Sequence, residues 1–461
     1  MGLFKWNKST DITVGYNINR KKGKPIVLSQ EDRFNNMLII GSRGCGKISR
    51  ALKPMIWQDM KSSKPLGITL FESYDNLSEE LYHMALAMNR KVQYFNPTSE
   101  NCAYFNPLSG REDDVVVSVS KAFDSIMRDS SPFIKNSSSS ILSRGIKVVK
   151  ALYGDNATLN DLYILLSNEG DKGLNEYILP YRKLQKFADG TPVDCGKEKE
   201  RDMIANWFLM DYFNPQTKTF TITHELRIYL GHICKDTKLG KLLCPPREGQ
   251  PEYSEYLEYK SNCEKRGIAP IINFKQAFLE GQVLIFNICE DKLFDLSYLL
   301  GQLISHILDD NLNHRPGNED TRIPNMCYIN DLSNFINEDL MTTINHSRTN
   351  HTKKVAFTLG IESMQAIERI FDTGVENGFM AMLNATGHKI IYSQFSYNAQ
   401  NYYSKYIKGI ADYIETELPV KDEKLFVELL STLPMEHAMF MSRPIHKPNK
   451  LILIETEIFE D

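Results

Sequence analysis

Seven short runs of nearly continuous apolar residues punctuate the chain: Met37–Ile40, Ile68–Phe71, Val92–Phe95, Val283–Phe286, Met326–Ile329, Val355–Thr358 and Lys389–Tyr392. Runs of this length, rich in β-branched and aromatic side chains, suit strands that are covered on both faces. Helical patterns separate them. The clearest is Leu293, Leu296, Leu300, Leu303, Ile304 and Ile307, a single apolar stripe at helical spacing. This alternation predicts a parallel sheet covered by helices.

The middle of the chain follows another rule. Between residues 129 and 269 the spacing is helical and strand candidates are almost absent. Ile141, Ile146, Val148, Val149, Leu152 and Tyr153 fall on one helix, and Thr158 opens another. The serines 137–140 lead into the first of these helices rather than forming a linker. Cys244-Pro-Pro-Arg-Glu-Gly-Gln-Pro251 has the composition of a long surface loop. The pattern predicts one α/β domain in two parts, residues 1–128 and 270–461, interrupted by an all-α domain over 129–269.

Composition narrows the function classes. Of 461 residues, 42% are hydrophobic, which is ample for a buried core and excludes an intrinsically disordered chain. Lys and Arg number 54 against 58 Asp and Glu, a net charge of −4, so nucleic-acid binding cannot be argued from overall charge. It would need local basic surface, for which Arg20–Lys24 and the set Lys235, Lys238 and Lys241 are the candidates. No apolar run approaches the ~20 residues of a membrane span, and the first ten residues lack the apolar stretch of a signal peptide. The expected location is cytoplasmic. Eight cysteines lie scattered with no Cys-x-x-Cys pair, which argues against a disulfide framework or a zinc site.

The candidate chemistry sits after the first apolar run. Gly41-Ser42-Arg43-Gly44-Cys45-Gly46-Lys47 follows Met37–Ile40 and leads into the helical pattern of Ile48-Ser49-Arg50-Ala51-Leu52. Strand, glycine loop and helix are the context of a phosphate-binding loop. Its glycines let backbone N–H groups converge on phosphate at a helix N-terminus, and Lys47 would supply a point charge for the outer phosphates. The expected ligand is therefore ATP. The position after the lysine normally carries a hydroxyl that ligates magnesium, and here it is Ile48. Ser49 lies about 100° further around a helix and cannot simply substitute.

A second acidic strand should complete such a site, and Met326-Cys-Tyr-Ile-Asn-Asp-Leu332 is the candidate. In one register Asn330 replaces the metal-shell aspartate and Asp331 stands for the catalytic glutamate. In the other, Asp331 keeps the metal role and Leu332 replaces the base. Either way one carboxylate is missing, so magnesium binding is expected to be impaired.

Together these segments resemble the type IV coupling proteins, the TraG/TraD-like ATPases of conjugation and type IV secretion. The resemblance is carried by the glycine loop, a following helix with Pro54, the Asn-Pro segments Tyr94–Pro97 and Ala103–Leu108, the stretch Ile272–Ile285, and Tyr328–Ile336. It implies a RecA-like P-loop domain with an all-α insertion, a homo-oligomer forming a ring of six, and ATP-driven delivery of DNA or nucleoprotein to a secretion channel. Implied partners are DNA, a relaxase or channel proteins, and a separate membrane-anchor protein that would hold the chain at the inner face of the membrane. The family has a phosphate-sensing Gln where this chain has Glu362. Arg348 stands where an arginine finger would reach a neighbour's phosphate. A catalytically inactive pseudo-ATPase, acting as a scaffold or a DNA- or relaxase-binding adaptor, is the alternative.

Overall fold

A computed structural model describes residues 10–18, 23–73, 76–127, 129–236, 238–330, 332, 334–362, 381–393, 406–409, 411–443 and 449–458. The chain divides into two compact units. The first comprises Met1–Val92, Phe274–Asn287 and His314–Asp461; the second comprises Gln93–Asn273 and Ile288–Asn313.

Among the described residues, twelve strands occur in chain order: β1 Ile12–Asn17, β2 Lys24–Leu28, β3 Met37–Ile40, β4 Gly67–Glu72, β5 Val92–Phe95, β6 Val283–Asn287, β7 Asn325–Asn330, β8 Val355–Ile361, β9 His388–Ile391, β10 Ile414–Glu415, β11 His437–Ser442 and β12 Asn449–Glu455. All seven apolar runs are strands, β3 to β9. In the first unit the sheet runs β2-β1-β12-β11-β9-β3-β8-β7-β4-β6, with β10 beside β12. Its centre, from β9 to β6, is parallel. Residues of β3, β4, β6, β7, β8 and β9 are buried without exception, as a sheet covered on both faces demands.

Joined to that centre through β11 and β9 is an antiparallel wing of β11, β12, β1 and β2. The sequence pattern did not announce this wing. Its strands are only partly buried, as β2 and β12 illustrate, so their apolar signal is diluted.

Buried polar groups fix the centre's register. Asn36, at φ +62°, donates to the Ile344 carbonyl (2.9 Å) and accepts from the Phe357 N–H (3.0 Å), which ties the start of β3 to β8. Arg33 makes a two-pronged ion pair with Asp59 (2.6 and 2.7 Å), and the Tyr328 hydroxyl donates to the same carboxylate at 2.5 Å. This cluster joins the helix Gln30–Arg33, the helix Lys53–Met60 and β7.

The second unit is built mainly from helices, among them Pro132–Tyr153, Leu159–Ser167, Cys195–Trp207, His224–Lys235 and Asp295–Asn313. Ser137–Ser140 lies within the first, which Ser131 caps. Thr158 and Asp161 form a reciprocal cap on the second. Asp161 also receives Arg247 at 2.7 and 2.8 Å, pinning the loop over 244–250 onto that helix. Among the described residues no helix is long and apolar enough to cross a membrane.

Gly173 begins a wide helical turn where an added Cβ would stand 2.3 Å from the Leu165 carbonyl oxygen. Gly173→Ala should therefore destabilise this unit by about 2 kcal/mol, read as a lower urea midpoint, because a backbone atom cannot yield as a side chain can.

Candidate nucleotide-binding site

The glycine loop leaves the C-terminal end of β3, in the middle of the parallel sheet. Its anchors are local. The Gly41 N–H donates to the Ile361 carbonyl of β8 (3.2 Å), the Cys45 N–H to Ser42 (3.2 Å), and the Ser42 hydroxyl to the Ser393 carbonyl (3.1 Å). Gly44 and Gly46 have φ of +81° and +94°, a region that disfavours other residues. A Cβ at Gly41 would lie 2.2 Å from the Cys45 sulfur and 3.1 Å from the Tyr392 Cβ, so any larger residue would force the Cys45 side chain to move. Cys45 is buried, and burial raises its thiol pKa, which keeps it a packing residue rather than a nucleophile. Arg43 is exposed at the tip.

The loop opens into a π-helical turn, Lys47–Leu52, before the α-helix Lys53–Met60. Pro54 accounts for the wider turn. In a regular α-helix its ring would collide with the Arg50 carbonyl, and it has no N–H to offer. The Arg50 guanidinium reaches the Thr456 carbonyl at 2.7 Å, which ties this turn to the end of β12.

Lys47 is buried, 5% exposed, and its ammonium lies 3.7 Å from a carboxylate oxygen of Glu362. Glu362 follows β8 directly, and β8 is hydrogen-bonded to β3 with Ile361 beside Ile40. The sheet thus brings together two candidate site residues that are far apart in the sequence. The contact itself was not legible, because only the β3–β8 register creates it.

Ile48 is half-buried and Ser49 is exposed. Asn330 ends β7, is 4% exposed, and its side-chain oxygen has no hydrogen-bond partner among the described residues. Gly360 of β8 leaves room for it: a Cβ there would stand 3.1 Å from that oxygen. Asp331 lies outside the described residues. Arg348 belongs to the helix Ser347–Lys353, but its side chain likewise lies outside what is described.

The donor set fits a phosphate chain. The positive-φ glycines, the helix start and Lys47 are in place, and no atom lies within 4 Å of where a Cβ on Gly44 would be. It does not by itself make a magnesium shell. Ile48 has no oxygen, and Asn330 supplies one neutral oxygen where a carboxylate would be the stronger ligand. A magnesium ion, held in part by the Asn330 oxygen, would neutralise charge on the outer phosphates.

No family model matches the sequence, and no curated protein matches it. Solved structures do. A plasmid coupling protein TrwB in complex with a non-hydrolysable GTP analogue aligns over 100% of this chain and 98% of its own, at 11% identity and a TM-score of 0.56. TrwB with ADP and Mg2+ aligns over 100% and 97%, at 13% identity and a TM-score of 0.55. VirB4 of Thermoanaerobacter pseudethanolicus aligns over 97% and 96%, at 12% identity and a TM-score of 0.55. The chain shares the fold of TrwB and VirB4. That fold is the RecA-like P-loop architecture expected from the sequence. Within it, the glycine loop follows β3, with Ile48, Asn330 and Glu362 on the elements described above.

Proposed function

We propose that this chain is a coupling-protein-like nucleotide-binding component of a conjugation or type IV secretion apparatus, acting on DNA or a nucleoprotein substrate. The observation that carries the reading is the glycine loop on β3, with Gly44 and Gly46 in positive φ and Lys47 at the helix start. The likeness to TrwB and VirB4 over nearly the whole chain supports placing that loop in such machinery. ATP is the proposed ligand. DNA, a relaxase or channel proteins, and a membrane-anchor protein are the proposed partners. A cytoplasmic, membrane-peripheral location and assembly as a homo-oligomer, a hexameric ring, belong to the same proposal. So do the boundaries of the helical insertion at 129 and 269, and the arginine-finger role of Arg348.

A second reading, a pseudo-ATPase scaffold or adaptor, is favoured by one specific feature. The lysine that should hold the outer phosphates is paired with Glu362, beside an isoleucine in the place of the metal hydroxyl. Hydrolysis needs the developing charge to be neutralised, and here both means are weakened.

Phosphate release from ATP with magnesium, with and without single-stranded DNA, tests the two. DNA-stimulated turnover that Lys47→Ala abolishes would establish a motor. The scaffold reading predicts turnover at background in the wild type, and still at background in Ile48→Thr.

A further inference from the structure

We propose that Glu362 competes with the terminal phosphate for Lys47, so that the site selects nucleoside diphosphates over triphosphates. This rests on the reading of the glycine loop as a nucleotide site and goes beyond it by naming the ligand class. Three observations carry it.

The Glu362 carboxylate is already 3.7 Å from the Lys47 ammonium, the group that would otherwise meet the outer phosphates. It is held there by the sheet. Ile361, the residue before it, lies beside Ile40 in the β3–β8 ladder and accepts the Gly41 N–H. The contact is intramolecular, so its effective concentration is high and a ligand group must displace it.

The second observation is the charge balance. A triphosphate brings one more negative charge than a diphosphate, and brings it to the end of the chain where Glu362 stands. The carboxylate repels that charge and also neutralises the lysine that would attract it. Ile48 and the amide of Asn330 do little to gather a compensating cation.

The third is that the inner part of the cradle does not depend on Glu362. The backbone around Gly44 and Gly46 keeps its positive-φ geometry, and the helix start keeps its partial positive charge. A diphosphate can therefore use the loop without contesting the ion pair.

The test is equilibrium binding of ADP and ATP to the full-length protein in magnesium buffer, for the wild type, Glu362→Gln and Lys47→Ala, with circular dichroism to establish folding. The wild type should bind ADP about tenfold more tightly than ATP or better, the ratio expected of one adverse charge contact. Glu362→Gln should close that gap by gaining ATP affinity, with ADP affinity nearly unchanged. Lys47→Ala should weaken both nucleotides, ATP more than ADP, because it leaves the Glu362 carboxylate unneutralised beside the phosphates. Equal affinities in the wild type, or an ATP affinity that Glu362→Gln leaves unchanged, would overturn the selectivity while leaving the nucleotide site standing. If neither nucleotide binds the folded wild type, the nucleotide-site reading itself fails, and the selectivity with it.

Discussion

Arg33→Ala is expected to cost the protein about 3–5 kcal/mol, enough to bring the cooperative loss of the first unit close to physiological conditions. Arg33 and Asp59 have side chains only 4% and 1% exposed, and the pair is two-pronged. The Asp59 and Tyr328 contacts hold the arginine charged despite its burial. Removing the guanidinium leaves Asp59 buried, with the Tyr328 hydrogen bond and the charge of Arg90 set against the desolvation penalty. Urea unfolding gives the measurement. The double variant Arg33→Met with Asp59→Leu should recover most of the loss, because it removes both charges rather than stranding one. A loss below about 1 kcal/mol for the single variant would mean that water reaches the carboxylate and the pair behaves as a surface bridge.

The second large effect runs in the opposite direction. Lys389→Met should stabilise the protein by about 2 kcal/mol at pH 7 and below, after allowing for the Thr386 carbonyl losing its donor. Lys389 is fully buried on β9, with no carboxylate beside it among the described residues. Burial, with Arg443 adding repulsion, lowers its pKa to about 7 from 10.5. The Tyr406 ring, 5.5 Å from the ammonium, offsets only part of this cost.

Between pH 7 and 10.5 the unfolded chain keeps a proton that the folded chain has released. Wild-type stability must therefore rise with pH through that window, and the advantage of the methionine variant must shrink toward its upper end. Neighbouring His388 is held down to about 4 by burial, so it titrates below this range and does not blur the comparison. Thermal melts from pH 6 to 10.5 would show the two curves converging (limits set by the lysine values above). Parallel curves would mean that the buried lysine finds an anion when it is charged.

How much of this was written in the sequence depends on where each signal is stored. The central strands were legible because burial on both faces leaves an unbroken apolar run, as in Leu38-Ile39-Ile40 and Leu284-Ile285-Phe286. The wing was not. β1 is interrupted by Gly15 and β2 contains Pro25, while β11 is built around Ala-Met-Phe-Met, which lacks β-branched residues.

The stripe from Leu293 to Ile307 misled in a different way. It reads as one helix, yet the backbone breaks at Phe294, where φ is +50°, so Leu293 ends one short helix and Asp295 begins the next. The longer helix also belongs to the second unit, whereas the sequence order suggested the sheet domain. Periodicity shows that a face is covered and cannot show by what. The same limit applies at the site. The loop from Gly41 to Lys47 is contiguous and could be recognised, but the pairing of Lys47 with Glu362 exists only once β8 lies against β3.

The outer edge of the sheet has a consequence for how the chain meets other copies of itself. The last strand of the wing, β2, exposes Lys24 and Pro25 at its start. A proline offers no N–H to an incoming strand, and an edge lysine would be buried by one. Growth of the sheet from molecule to molecule is thereby discouraged at this margin. Ordered assembly at this margin would have to use side-chain surfaces, and crowding at high concentration should not readily turn the chain into fibres through this strand.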